Sequence, residues 1–393
     1  DINMLYRINP KTGDKLSILG FGCMRLALND DGSINEERAR QELRYAVDHG
    51  VNYIDTAWPY HKGESELFVG RALSDGYRQR VKLATKLPSR LIERHEELDN
   101  YHNTQLKRLQ TDKIDYYLLH SLTGELWMKM ESLDIKEFLD TAKADGRIGC
   151  TGFSFHGNGK DFQKIIDAYN WDFCQIQYNF LDKEKQAGTT GLKYAASKGI
   201  GIIVMEPLRG GSLTNSIPQE VQEIWDKAEV KRTPAEWALR WVWNHPEVTV
   251  VLSGMNEETH IEENIAIADQ AYPHSLTKPE LDLINNVERK YFELFKVSCT
   301  GCKYCVPCPA GVNIPLCFDI YNSLYLNGNI EQVKSRYTTR LSGARNAGKP
   351  EYASQCIQCN MCLEKCSQQI DIPTVLKTVD IELGKPDPDT SIS

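Results

Sequence analysis

No apolar run in the 393-residue chain approaches the length of a membrane-spanning helix, so an integral helical membrane protein is excluded. No secretory leader is visible, so the thiols are expected to stay reduced in a cytoplasmic protein. Positive charge is not in excess. Forty-six Lys and Arg face 54 Asp and Glu, a net charge of −8, which argues against general nucleic-acid binding. Missing too is a Gly-x-Gly-x-x-Gly after the first predicted strand, which weakens a doubly wound dinucleotide fold. Low complexity is confined to the Pro, Asp and Ser tail from Lys385, expected to fray.

What the chain has in surplus is cysteine. Eight of its twelve cysteines form two runs, Cys299-Thr-Gly-Cys302-Lys-Tyr-Cys305-Val-Pro-Cys308 and Cys356-Ile-Gln-Cys359-Asn-Met-Cys362-Leu-Glu-Lys-Cys366. Two residues between cysteines let three thiolates of one loop reach one cubane cluster, while the fourth crosses to the other cluster. That pattern assigns Cys299, Cys302, Cys305 and Cys366 to one 4Fe-4S cluster. Cys356, Cys359, Cys362 and Cys308 hold the second. The first run places two residues, not the usual three, before Cys308, and Ser367 replaces a second proline. Zinc is the competing occupant, since four thiolates bind it tetrahedrally, although zinc ribbons use two separated pairs. Cys23, Cys150, Cys174 and Cys317 read as scattered small hydrophobes.

The first 295 residues alternate short β-branched or apolar runs with amphipathic stretches. Strands are predicted at 17–20, 52–55, 81–85, 115–119, 150–153, 173–177, 201–205 and 249–252, with helices including 36–49, 65–74, 94–109, 136–145 and 160–169. Asn35 and Ser65 are expected N-caps, and Gly50, Gly146 and Gly199 expected helix stops. Eight such units predict a (β/α)8 TIM barrel, entered by a hairpin over 7–15 that plugs its bottom. A helix over 278–295 leads into the second domain, and 320–337 reads helical. The expected domains are therefore 1–295, the barrel, and 296–393, a small, mainly helical, ferredoxin-like module with two clusters.

Barrel enzymes carry their chemistry at the C-terminal ends of the strands. Asp55, Lys86 and His120 fall at three consecutive ends, and Tyr60 lies in the loop after the first of them. A carbonyl that accepts hydride develops an alkoxide, which needs a proton. A phenol supplies it when an ammonium stabilises the phenolate, so Lys86 is expected to acidify Tyr60, Asp55 to hold Lys86, and His120 to orient the carbonyl. Each has a plainer reading as a helix cap, a surface lysine, packing or a structural histidine; their coincidence is the argument. The loops Glu206-Pro207-Leu208-Arg209-Gly210-Gly211-Ser212 and Ser253-Gly254-Met255-Asn256 would bind phosphate, with Gly210 and Gly211 admitting backbone and Arg209 adding charge.

The segments Leu19-Gly20-Phe21-Gly22-Cys23-Met24-Arg25-Leu26, Asp55-Thr56-Ala57-Trp58-Pro59-Tyr60, Gly63-Glu64-Ser65-Glu66 and Asp115-Tyr116-Tyr117-Leu118-Leu119-His120 resemble the signatures of the aldo-keto reductase superfamily. The cysteine module resembles that of the branch with a fused ferredoxin-like domain. The resemblance implies Tyr60 as proton donor with Asp55, Lys86 and His120 as partners, and NAD(P)H as hydride source. It implies nicotinamide contacts from Ser154 and Gln175, and adenine contacts from Glu263 and Asn264. Gly22, Met24, Met205, Pro207, Leu208, Gly211, Ser253 and Met255 complete the cofactor set. Met205 replaces a frequent stacking tyrosine, and Phe155 a frequent asparagine. His260 stands where an arginine often meets the NADP 2′-phosphate, with Glu257 and Glu258 nearby, so NADP preference is in doubt.

The reading is a cytoplasmic oxidoreductase acting on a small-molecule carbonyl, with Trp58, Trp127 and Phe155 as an aromatic pocket wall. Hydride carries two electrons and a cluster passes one, so direct exchange needs a converter. That leaves open a flavoprotein with barrel-bound FMN serving a ferredoxin-type electron partner. It also leaves open a non-catalytic barrel with structural metal.

Overall fold

The computed structural model describes residues 3–215, 217–299, 301, 305–327, 329–343, 348–366 and 369–384. The chain forms two compact units: Asp1–Leu213 with Arg232–Lys278, and Thr214–Lys231 with Pro279–Ser393.

In the first unit, the hairpin β1 (Tyr6–Ile8) and β2 (Lys15–Ser17) precedes eight parallel strands, β3 (Leu19–Gly22), β4 (Tyr53–Asp55), β5 (Lys82–Leu87), β6 (Ile114–Leu122), β7 (Ile148–Phe155), β8 (Phe173–Gln177), β9 (Gly201–Met205) and β10 (Val250–Ser253). They close as β10-β3-β4-β5-β6-β7-β8-β9, the expected TIM barrel. Parallel strands covered by helices are buried on both faces, which is why they read as apolar runs without alternation. Alternation still decides which side chain faces inward. The inner core takes Tyr53, Ala84, Tyr116, Leu118, Phe173, Ile203 and Val250, among others. Gly152 belongs to this layer for a steric reason: a Cβ there would lie 2.6 Å from the Phe173 ring.

The hairpin covers the N-terminal end of the barrel, as anticipated. Arg7 donates to the carbonyls of Trp243, His245 and Val248 at 2.6, 2.9 and 2.6 Å, and Tyr116 donates to Asp14 at 2.7 Å. Arg7→Ala removes these three hydrogen bonds and is expected to cost about 3 kcal/mol, measured as a lower urea midpoint.

Asn35 caps the helix Glu36–Asp48 by accepting from the Arg38 N–H, and Gly50, Gly146 and Gly199 take positive φ where helices stop. Ser65 does not cap. It is the first residue of the helix Ser65–Ala72, and its buried hydroxyl lies 2.8 Å from Thr56 Oγ1 and bonds the Cys23 carbonyl.

Among its described residues the second unit is helical, with Gln219–Trp225, Lys278–Leu294, Ile314–Asn327, Ile330–Leu341 and Ile372–Leu383. The helical stretch expected over 320–337 falls on two helices, Ile314–Asn327 and Ile330–Leu341. Asn329 caps the later one by accepting from the Gln332 N–H, a local bond that competes with helix continuation. Phe318, Tyr337, Leu376 and Val379 centre this unit's core, and Cys299, Cys305, Cys308, Cys356, Cys362 and Cys366 pack partly buried against it. Among the described residues no helix is long and apolar enough to cross a membrane.

Candidate active site and cysteine cavity

Strand alternation builds the site. Tyr53, Ala84 and Leu118 lie in the inner core, so Asp55, Lys86 and His120, two residues further along β4, β5 and β6, face inward one layer nearer the C-terminal mouth. Tyr60 opens the 3-10 turn Tyr60–Gly63 just after β4. The four expected side chains are brought together. Lys86 Nζ is fully buried and donates to Asp55 Oδ1 at 2.8 Å and Oδ2 at 3.0 Å, to the Thr56 carbonyl at 2.7 Å and to Tyr60 Oη at 3.2 Å. The His120 ring stands edge-on to Tyr60 with centroids 6.1 Å apart, and its backbone N–H donates to Ser89 Oγ at 3.0 Å.

The charge balance at Tyr60 differs from the expectation. Burial raises the phenol, Lys86 opposes that and Asp55 adds to it, leaving Tyr60 above the ordinary tyrosine value. The ammonium does not acidify the phenol outright; it offsets a desolvation that the sequence does not reveal. Tyr60 therefore holds its proton through neutral pH. Burial lowers Lys86, but Asp55 and Tyr60 more than compensate, so it stays charged. Burial, Lys86, His156 and Arg90 push His120 well below the usual imidazole value, so it is neutral and has one N–H to give.

The expected cofactor residues occupy the other side of the same mouth. Ser154 and Gln175 are paired across β7 and β8. Gln175 Nε2 lies 3.5 Å from Met205 Sδ, and its buried Oε1 has no partner among the described residues. Ser154 Oγ accepts from the Ser121 N–H at 2.7 Å. Beyond β9, Pro207 is buried and Leu208 half-buried, and left-handed backbone recurs at Glu206, Arg209, Gly210 and Gly211. The Gly211 N–H is bonded to the Leu208 carbonyl, and Arg209 is engaged 3.3 Å from Asp182. Asp182 would be raised by burial, but Arg209, Lys185 and Asn179 bring it down to about 2. Gly22 ends β3, where a Cβ would stand 3.3 Å from the Ser253 carbonyl. Met24 is exposed and Met255 buried. On the helix Glu258–Ala268, buried Asn264 donates to Ser253 Oγ at 3.0 Å, while Glu263 accepts from Thr233 Oγ1 at 2.7 Å. His260 Nε2 stands 3.9 Å from Glu257.

The aromatic wall is corrected. Phe155 is buried and turned outward with Phe153 onto Phe162 of the helix Gly159–Ala168, because alternation that points Ser154 inward points its neighbours out. Trp127 packs on Trp171, just ahead of the start of β8. Trp58 is half-buried under the Arg108 guanidinium.

Cys305, Cys308, Cys356, Cys359 and Cys362 line one cavity with Pro307, Ile314, Met361 and Leu376. Burial raises Cys362, and Cys356, Cys359 and Cys308 line the same cavity with it. They are the set expected for the second cluster, including the crossover from the first run. Among the described residues no three metal-binding side chains converge on one point; these thiols are spread around a cavity. Cys299 accepts from the Gly301 N–H at 3.4 Å, a bond of the kind that tunes cluster thiolates. Cys302 lies outside the described residues.

Comparison with known proteins agrees with this geometry. Residues 18–286 match the family model of aldo/keto reductases, and residues 298–370 that of a 4Fe-4S dicluster domain. The chain belongs to the aldo/keto reductase family and is an oxidoreductase with a C-terminal dicluster domain. It is 30% identical over 229 residues to aldo-keto reductase YhdN of Bacillus subtilis, covering 55% of this chain and 66% of that one. It is 24% identical over 287 residues to probable aldo-keto reductase 1 of Glycine max, covering 64% and 81%. The solved structure of aldo-keto reductase AKR11C1 from Bacillus halodurans, in its holo form, superposes with a TM-score of 0.62 at 27% identity, covering 72% of this chain and 96% of that one.

Proposed function

We propose that the barrel reduces an aldehyde or ketone with hydride from NAD(P)H, that Tyr60 protonates the nascent alkoxide, and that the C-terminal unit holds two 4Fe-4S clusters. The observation that carries the catalytic reading is the fully buried Lys86 ammonium, fixed by both Asp55 oxygens and set 3.2 Å from Tyr60 Oη. A buried cation is costly unless paired and hydrogen-bonded, and this one has three partners, one of them the phenol.

The nicotinamide supplies hydride. The unpartnered Gln175 Oε1 suits a carboxamide N–H, with Ser154 beside it. His120, neutral, donates to the carbonyl oxygen and aims it at Tyr60. As charge grows on that oxygen, Tyr60 releases its proton to it, and Lys86 stabilises the phenolate left behind. Asp55 keeps Lys86 charged and in place. The clusters supply one-electron chemistry, held by Cys356, Cys359, Cys362 and Cys308 on one side and by Cys299, Cys302, Cys305 and Cys366 on the other. Hydride moves electrons in pairs, so the barrel reaction needs no electron from them, and a ferredoxin-type partner is their natural outlet.

The adenosine end favours NADH. Glu257 and Glu258 open the helix Glu258–Ala268, and an acidic rim suits a ribose diol better than a 2′-phosphate. NADH is expected to exceed NADPH in kcat/KM by about tenfold, equivalent to about 1.4 kcal/mol, and Glu257→Arg to narrow the ratio. Equal use of both by the wild type would remove this assignment.

The test of the whole reading is anaerobic purification with an absorption spectrum, iron and sulfide counts, and NADH or NADPH oxidation against a panel of aldehydes and ketones. Turnover without flavin supports it. Bound flavin with no carbonyl turnover favours the electron-transfer alternative instead.

A further inference from the structure

We propose that Arg108 is a positioning residue for the proton donor, locking the loop that carries Tyr60 to the helix that also holds Lys86. The inference rests on Tyr60 being the acid, as above.

The loop needs such a lock. Three successive residues after Tyr60 lie in left-handed backbone, His61 at φ 52°, Lys62 at φ 56° and Gly63 at φ 90°. Two of them carry a Cβ, and such conformations persist only where the surroundings over-determine them. On one side, His61 Nε2 accepts from the Leu26 N–H at 3.2 Å. On the other, Arg108 makes three contacts at once. Its terminal nitrogen donates to the Gly63 carbonyl, and its guanidinium carbon lies 4.3 Å from the centroid of the Trp58 ring. Nε stands 2.9 Å from Glu66 Oε2, an ionic contact off the N–H direction. Trp58 and Gly63 bracket Tyr60, so Arg108 grips the loop both before and after the reacting phenol.

The same helix, Glu96–Arg108, reaches the backbone of Lys86. One turn back from Arg108, the buried Gln105 donates to the Lys86 carbonyl at 2.8 Å and to Glu66 Oε1 at 2.7 Å. Tyr117 donates to Gln105 Oε1 at 2.6 Å, and Thr85 to Glu66 Oε1 at 2.6 Å. Glu66 and Gln105 are fully buried. One rigid network thus sets the backbone of Lys86 and the loop of Tyr60, and with them the distance between phenol and ammonium. A Lys at 108 has no planar fork to reach Gly63, Glu66 and Trp58 together.

The test uses the full chain, with Tyr60→Phe measured in parallel. Arg108→Ala is expected to lower kcat by about 100-fold, the scale of an ångström of misplacement. The dissociation constant for NADH, read from tryptophan quenching, stays unchanged. Millimolar guanidinium restores part of kcat, and sodium chloride at the same ionic strength does not. The alkaline limb of kcat shifts as well, because Tyr60 loses its fixed distance to Lys86. Should Arg108→Ala fail to fold, Arg108→Lys decides, with kcat expected about tenfold down and NADH affinity retained. Full kcat in either folded variant overturns the inference. A wild type that reduces no carbonyl, or a Tyr60→Phe enzyme at full rate, overturns the underlying reading instead.

Discussion

Tyr60→Phe is expected to lower kcat for carbonyl reduction by about 10²–10⁴-fold, the usual contribution of a positioned general acid, with little change in KM. The substitution removes one oxygen from the 3.2 Å contact with Lys86 and leaves the ring in place against His120. Substrate and dinucleotide then bind as before, while the alkoxide must find its proton elsewhere. Lys86→Met is expected to cost a similar factor, but it also leaves Asp55 as a buried carboxylate without its partner, at about 3–5 kcal/mol. The double variant Asp55→Asn, Lys86→Met separates the two effects: stability returns and activity does not. Steady-state kinetics together with denaturant melts read both quantities.

Cys362→Ser is expected to remove one whole cluster, about four irons and four sulfides per chain, and to leave NAD(P)H-dependent carbonyl reduction intact. Cys362 shares a cavity with Cys356, Cys359 and Cys308, so its loss is expected to open the second cluster rather than the first. Cys362 packs only partly buried against the unit's core of Phe318, Tyr337, Leu376 and Val379, and serine is close to it in size, so the helices should survive. Iron analysis and the visible absorption spectrum measure the first outcome. Loss of all iron would show that the two clusters assemble as one, and loss of turnover would show that the barrel chemistry draws electrons through them.

The candidate site residues were legible because each rule behind them is local. A strand alternates, so an apolar residue in the core implies its neighbour two positions on; Asp55, Lys86 and His120 follow from Tyr53, Ala84 and Leu118. Cysteine spacing is equally local, and Cys308 of the first run lines one cavity with Cys356, Cys359 and Cys362 of the second. Readings that failed depended on direction or environment. Phe155 sits at a strand end like the catalytic residues, yet it has the opposite parity and packs outward. Ser65 has the composition of a cap, but its hydroxyl found Thr56 and the Cys23 carbonyl inside the protein. Arg108 and Gln105 carry no signal of their own, since they meet the Tyr60 loop only after the fold brings distant segments together. Desolvation of Tyr60 is likewise a property of the folded surroundings.

The most direct measurement is the single-turnover rate of carbonyl reduction, followed from neutral to strongly alkaline pH in the wild type and in Tyr60→Phe. Tyr60 is raised above the ordinary tyrosine value, so the proton is present throughout the neutral range and is lost only at high pH. The account predicts a flat wild-type rate that falls above about pH 10, and a slow variant without that fall. A wild-type rate that falls within the neutral range, or a variant that reproduces the wild-type rate and profile, would contradict it.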